Sequence, residues 1–177
     1  LHSVDRRQRQ MCIRDSNIYY RDTIVPLKTD IEYVKDYLML QKMRYNRRLT
    51  YSMDIPEELM ECKIPKLLIQ PIVENSLKHG MKNVESIDVK ISASIDHDNL
   101  KLSVQDNGIG IEPEILEELI KDLDREDVYK EHIGMYNSHR VVRLLYGSEY
   151  GLKIESTYGK GTLVNIILPI NKENDHA

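Results

Sequence analysis

Four side chains able to do chemistry crowd into the stretch QPIVENSLKHG, residues 70–80: Glu74, Asn75, Lys78 and His79. Positions 74/78 and 75/79 are each four apart, so on a helix the members of each pair share a face. The surrounding chain is apolar, with Leu67, Leu68, Ile69, Ile72, Val73 and Leu77. A carboxylate, a carboxamide, an ammonium and an imidazole along an otherwise apolar helix are costly to hold unless something polar meets them. A phosphate–metal unit would meet all four.

A second concentration is Asp106-Asn107-Gly108-Ile109-Gly110, a glycine-rich loop directly after a strand-like run. Gly134 and the Tyr158-Gly159-Lys160-Gly161 turn follow downstream. Glycine lets backbone amides approach a ligand closely or take a positive φ. Taken singly, each of these turns is better explained by ordinary turn duty, and none fits the GxxxxGK[ST] or GxGxxG phosphate patterns. Their order is the informative feature, after ENSLKHG and ahead of the closing GTLVNIILP.

The elements that must position these groups are legible in outline. Thr29 with Glu32 three residues on has the capping-box arrangement. From there Ile31, Val34, Leu38 and Met43, with Tyr37 and Leu40 alongside, predict a helix to about Arg48. Leu49, Tyr51, Met53 and Ile55 alternate with Thr50, Ser52 and Asp54, a half-buried strand ended by Pro56. Pro65 sits where the next helix could begin, and Gly80 is a plausible stop. Residues 87–95 and 100–105 read as strands joined by an Asp96-His97-Asp98-Asn99 hairpin turn. A helix opens at Pro113 and runs to about Leu123. Residues 122–133, DLDREDVYKEHI, are highly charged and weakly periodic, which predicts a loop. A helix over about 135–146 should bury Val141, Leu144 and Leu145. Strands at 152–157 and 162–168 flank the Gly159/Gly161 turn. Helices and strand pairs segregate rather than alternate strictly, which predicts an α+β two-layer sandwich.

Composition narrows the function classes. Of the 177 residues 31% are charged, and the net charge of −4 gives no electrostatic footprint for nucleic acid. No apolar run approaches the ~20 residues that a membrane helix needs. Trp and Phe are absent, so Tyr, Leu, Ile, Val and Met must build the core. Cys12 and Cys62 match no metal or redox spacing. Residues 1–16, with Arg6, Arg7, Arg9 and Arg14 and no helix or strand period, read as a leader foreign to the fold. They do not form a signal peptide, because no apolar segment follows the charges.

ENSLKHG, DNGIG, the segment HIGMYN…R…LYG and GKGT resemble, in order, the N, G1, G2 and G3 boxes of the GHKL ATP-binding domain. That superfamily joins histidine kinases, gyrase, Hsp90 and MutL, and the variant here is most similar to sensor histidine kinases of the LytS/YehU and YesM type. The resemblance covers about residues 17–169. It implies the Bergerat fold: a mixed, mostly antiparallel sheet covered by helices on one face. Residues 17–48 would end the dimerisation region and its linker helix, 49–170 would be the catalytic domain, and 171–177 a polar tail.

The resemblance also implies roles. Asn75 would hold the Mg²⁺ that bridges the phosphates, a hard oxygen ligand suited to that ion. Lys78 and His79 would face the phosphates, and Asp106 would accept the adenine amino group. Gly108 and Gly110 would let the loop pass close to the base. Residues 122–133 would form a lid over the γ-phosphate with Gly134 at its hinge, followed by Met135, Asn137 and Arg140 on the next helix. Gly161 and Thr162 would border the adenine pocket. Glu74 is open between two readings, a base that polarises the nucleophile and a surface carboxylate paired with Lys78.

Two departures from the family pattern matter. His132 stands where the G2 box usually has glycine, and Pro71 stands where gyrase-type ATPases carry a water-activating glutamate. The latter predicts a kinase rather than a hydrolase. The phosphoacceptor motif of these kinases, resembling NPHFLFN, is not among these residues, so the chain is expected to bind Mg–ATP and phosphorylate a supplied acceptor but not itself. The implied partners are a response regulator receiver domain and a second subunit in the intact kinase. Membrane attachment would come only through regions outside this chain, with the domain on the cytoplasmic side. The alternatives are a nucleotide-responsive module without catalysis and an anti-sigma-type serine kinase.

Overall fold

Period-two alternation in the strands decides how the layers meet. The computed structural model describes residues 24–125 and 133–170. The expectations for residues 1–23, for 126–132 with His132, and for 171–177 lie outside the described residues. In chain order the elements are β1 (Ile24–Pro26), α1 (Leu27–Tyr45), β2 (Leu49–Asp54), β3 (Lys63–Pro65) and α2 (Gln70–Gly80). Then come β4 (Ile87–Asp96), β5 (Asn99–Asp106), α3 (Pro113–Leu123), α4 (Ile133–Tyr146), β6 (Gly151–Thr157) and β7 (Gly161–Pro169).

Five strands form one sheet in the order β2-β4-β5-β7-β6; β2 pairs with β4 in parallel and every other pairing is antiparallel. Val89, Ile91 and Ala93 of β4, Leu100, Leu102 and Val104 of β5, and Val164, Ile166 and Leu168 of β7 are buried. They share one core with Ile31, Val34 and Leu38 of α1, Ile72, Val73 and Leu77 of α2, and Val142 of α4. The opposite sheet face carries Lys90, Ser92, Ser94, Lys101, Ser103 and Gln105, none of them buried. This is the mixed, mostly antiparallel, two-layer α+β sandwich that the sequence predicts, with helices on the apolar face.

Several local expectations are corrected. Helix α1 starts at Leu27 behind Pro26 and has no side-chain cap, so Thr29 and Glu32 form no capping box. It ends at Tyr45, where Asn46 takes a φ of 52°, and residues 46–48 make a single 3₁₀ turn. Its full burial ends at Leu38: Leu40 and Met43 are 62% and 78% exposed. Pro65 opens no helix. It lies in β3, which pairs antiparallel with β1, a two-stranded sheet that three-residue segments are too short to announce by periodicity. The proline in the first turn of α2 is Pro71 instead. Helix α3 ends at Leu123 as expected, so the loop reading of 122–133 starts two residues too early: Asp122 and Leu123 are buried in the last turn of the helix. On α4 the fully buried residue is Val142, while Leu144 is 52% exposed, a rotation of the apolar stripe by one position.

Candidate functional site

The inward-facing row of β5 runs Leu100, Leu102, Val104 and then Asp106, so the same alternation that builds the core places a carboxylate at its end. Asp106 is 5% exposed and pairs across the sheet with Thr162, the end of the corresponding row of β7. Ser156 of β6 pairs with Thr162 on the other side. Its Oγ lies 2.9 Å from Thr162 Oγ1, a hydrogen bond that either hydroxyl can donate. The Ser156 Oγ also accepts the Ile111 N–H at 2.9 Å, tying the loop after β5 to β6. Burial pushes the Asp106 carboxyl above the usual carboxylate range, and hydrogen bonds from the Gly108 N–H, the Ser76 hydroxyl and the Thr162 backbone pull it back.

The glycines of the loop are where backbones touch. A Cβ on Gly108 would stand 2.5 Å from the Gly80 backbone, which joins the end of α2 to the loop. The Gly108 N–H donates to Asp106 Oδ1 at 2.9 Å, and the Ile109 N–H donates to the Gly80 carbonyl at 3.0 Å. Gly110 has a φ of +72°, and a Cβ there would meet the Thr157 carbonyl at 2.2 Å. Gly161, at φ +114°, leaves the same kind of room for the Asp106 carbonyl. The loop after β5, the end of α2 and the β6–β7 turn therefore meet main chain to main chain at these glycines.

Between α2, the sheet end, α3 and α4 lies a cavity of about 410 Å³. Its apolar wall includes Ile72, Ile109, Ile111, Leu119, Met135 and Ile154, and its polar groups include Asn75, Ser76, His79, Asp106, Gly110 and Thr162. Lys82 and Asn83 stand on the same rim. The predicted polar stripe of α2 thus divides. Asn75 and His79 line the cavity, whereas Glu74 and Lys78, about 100° further round the helix, are exposed. Glu74 accepts a hydrogen bond from Gln70 Nε2 at 2.8 Å. Gly134 does not line the cavity; a Cβ there would meet the Pro71 side chain at 2.8 Å, so it serves close packing of α4 on α2. Asn137 and Arg140 are exposed on α4.

This arrangement suits a flat heterocycle with an amino donor: apolar walls for its faces, and one buried carboxylate at the floor to accept the donor. A polyanion attached to that ring would leave along Asn75, His79 and Lys82. Among the described residues no three His, Cys, Asp or Glu groups cluster to hold a metal ion by themselves. A single carboxamide oxygen is nonetheless the donor expected for an ion that arrives on phosphates, since Mg²⁺ takes few protein ligands there. The cavity therefore fits both groups. Ser76 and Ser156, which hold Asp106 and Thr162, escaped the sequence reading because a serine between apolar residues carries no motif. A third residue missed is Asp30, fully buried on α1, whose carboxylate accepts the backbone N–H groups of Leu67, Leu68 and Ile69.

A family model described as histidine kinase-, DNA gyrase B-, and HSP90-like ATPase matches residues 63–172. The sensor protein kinase HptS of Staphylococcus aureus is 30% identical over 150 residues, covering 85% of this chain and 29% of that protein. The chain thus spans less than a third of the length of the curated relatives it matches. Among solved structures, the histidine kinase domain of the Erythrobacter litoralis EL346 blue-light activated kinase superposes with a TM-score of 0.54 at 22% identity, over 83% of this chain and 62% of that one. The catalytic domain of histidine kinase ThkA gives a TM-score of 0.59 at 15% identity, over 84% and 96%.

Proposed function

The chain belongs to the family of histidine kinase-, DNA gyrase B- and HSP90-like ATPases, and we propose that it is the ATP-binding catalytic domain of a two-component sensor histidine kinase, of the type that resembles LytS/YehU and YesM. The observation that carries this reading is the buried Asp106 carboxylate at the floor of an apolar-walled cavity. It accepts the adenine amino group, which guanine cannot offer at that position. The glycine interlock around it keeps side chains out of the slot, and the Ser156–Thr162 pair presents hydroxyls at its edge.

The triphosphate would run past His79 and Asn75, and the Asn75 carboxamide oxygen would be the protein ligand to a Mg²⁺ carried on the phosphates, which when bound would supply charge stabilisation for the transferring γ-phosphoryl group. A histidine nitrogen of the acceptor attacks the γ-phosphorus in line. The N–P bond forms while the bond to the β,γ-bridging oxygen breaks, and ADP leaves. Exposed Glu74, beside Asn75, polarises the incoming imidazole. Pro71 occupies the position from which a water-activating carboxylate would act, and its ring is packed against Gly134. That favours transfer over hydrolysis. In the intact kinase the phosphoryl group passes to an aspartate of a response regulator. The parent is a homodimer anchored in the bacterial membrane, and among the described residues no helix is long and apolar enough to cross one.

Calorimetric titration of Mg–ATP, followed by incubation of radiolabelled ATP with a histidine-bearing acceptor domain of a related kinase, tests the reading. Binding followed by label on the acceptor is expected. Binding without transfer would leave a nucleotide switch, and label on a serine would point to the anti-sigma class.

A further inference from the structure

We propose that Asp30 is a positioning residue for the nucleotide cavity: its carboxylate locks the segment that launches α2 and so fixes where Asn75 and His79 stand. The proposal rests on the nucleotide reading given above. Asp30 has no exposed surface, yet it sits in the first turn of α1, 37 to 39 positions ahead of its partners in the chain. One oxygen accepts the Leu67 N–H at 2.5 Å; the other accepts those of Leu68 and Ile69 at 3.1 and 2.9 Å. Three backbone donors on one buried carboxylate make a preformed clamp.

The clamped segment is the unconventional start of α2. That helix has no side-chain cap of its own, and the N–H groups ahead of its first turn would otherwise be unsatisfied in the interior. Asp30 supplies the missing cap from a different helix, and its negative charge lies at the positive end of the α2 dipole. Leu67 is held at a φ of +58°, a conformation that a γ-branched residue does not choose without restraint. The restraint is the shortest of the three bonds.

The same segment is gripped from its other side. The Ser138 hydroxyl of α4 donates to the Leu68 carbonyl at 3.3 Å, a buried contact. Ile72, Asn75, Ser76 and His79, which line the cavity, begin only three residues after Ile69, and the Ile72 and Val73 N–H groups both donate to the Ile69 carbonyl. Residues 67–69 are therefore a junction of α1, α2 and α4. Movement of α1 must displace either the clamp or the cavity wall. Asp30 transmits the position of α1 to the nucleotide.

The test measures nucleotide affinity and amide hydrogen exchange in the parent chain, in Asp30→Asn and in Ser138→Ala. A carboxamide turns an N–H toward donors already present, so the Asp30→Asn clamp opens. ADP affinity is expected to fall at least tenfold, with faster exchange at Leu67, Leu68 and Ile69. In the parent, ADP should slow exchange at those three amides more than at the β1–β3 pair Val25 and Ile64, because coupling is reciprocal. A merely structural role would lower the melting temperature without that local response to ligand. Should Asp30→Asn not fold, the parent's exchange response and the affinity of Ser138→Ala, expected to fall several-fold, still decide. ADP binding in the parent with no selective protection of residues 67–69, or with unchanged affinity in Asp30→Asn, would overturn the proposal and leave the nucleotide reading intact. No ADP binding in the parent would remove the nucleotide reading and this proposal together.

Discussion

Asp106 must satisfy two demands that oppose each other. Its burial favours the neutral carboxyl, while its hydrogen bonds require an acceptor, as would the adenine amino group it is proposed to receive. A carboxamide in its place would keep the volume but turn an NH₂ toward donors. ATP affinity should fall roughly 10- to 100-fold in Asp106→Asn, about 1.4–2.8 kcal/mol, and GTP affinity should change less. Isothermal titration with both nucleotides reads that ratio, and an ATP preference that survives in the variant would take discrimination away from this residue. The glycines nearby are separable in the same way. Gly159 has a φ of +80° and open space around it, so Gly159→Ala should cost only backbone strain, about 1 kcal/mol. Gly161→Ala would add a collision 2.0 Å from the Asp106 carbonyl, so its cost should reach about 3 kcal/mol or more. Urea denaturation of the two variants compares them directly, and equal losses would mean that the main-chain interlock at Gly161 can yield.

At the level of elements, the seam between α4 and β6 is closed by a histidine. His139 is 6% exposed; its Nδ1 accepts the Leu152 N–H at 3.0 Å, and its ring lies against Gly151, whose Cβ would stand 2.8 Å from that nitrogen. Burial and the neighbouring Arg143 hold its pKa below the ordinary imidazole value, with Asp124, which is ion-paired to Arg143, acting weakly in the other direction. A depressed folded value contributes stability above the unfolded pKa of about 6.5, and that stability drains away as pH falls toward the folded value. Asp30 and Asp106, with raised values, act in the opposite sense, losing stability as pH rises through them. The difference between parent and His139→Leu isolates the histidine. The variant should be about 1–3 kcal/mol less stable at pH 8, because the Leu152 N–H loses its acceptor, and the gap should narrow below about pH 6.5. A gap independent of pH would mean that His139 is not held neutral. Such seams were hard to read in advance. The β4–β5 hairpin was legible because alternation and a four-residue turn are both local, and the order of the glycine boxes pointed to the site for the same reason. The Asp30 clamp, the parallel β2–β4 pairing and the β1–β3 pair join residues about 40 apart, where no short period reports them. The capping-box reading of Thr29 failed because α1 starts behind Pro26 and turns its one acidic first-turn residue, Asp30, into the interior.

The cavity belongs to the whole molecule. Its lining comes from α2, the loop after β5, α3, α4 and both strands of the last hairpin, so no stretch of the unfolded chain can imitate it. A ligand that binds only the folded state stabilises it by mass action, about 2.7 kcal/mol at a hundred times its dissociation constant. For a chain of this size, at roughly 2–4 °C per kcal/mol, that corresponds to a rise in melting temperature of about 5–10 °C. ATP with Mg²⁺ should produce it, and GTP should not. The division of the polar lining makes a sharper expectation. On the proposed reading adenosine would be held by Asp106, the apolar walls and the hydroxyls at their edge, whereas the triphosphate would meet Asn75 and His79, neither of which carries a fixed positive charge. Among the described residues of the lining, Lys82 on the rim is the one lysine or arginine, too little for four phosphate charges. On the proposed reading the metal would therefore supply most of the phosphate affinity. Chelating Mg²⁺ should remove most of the ATP-induced shift and leave a shift produced by adenosine unchanged. A shift with ATP that survives chelation in full would place the phosphates against protein donors other than Asn75, and the metal role given to that residue would fall.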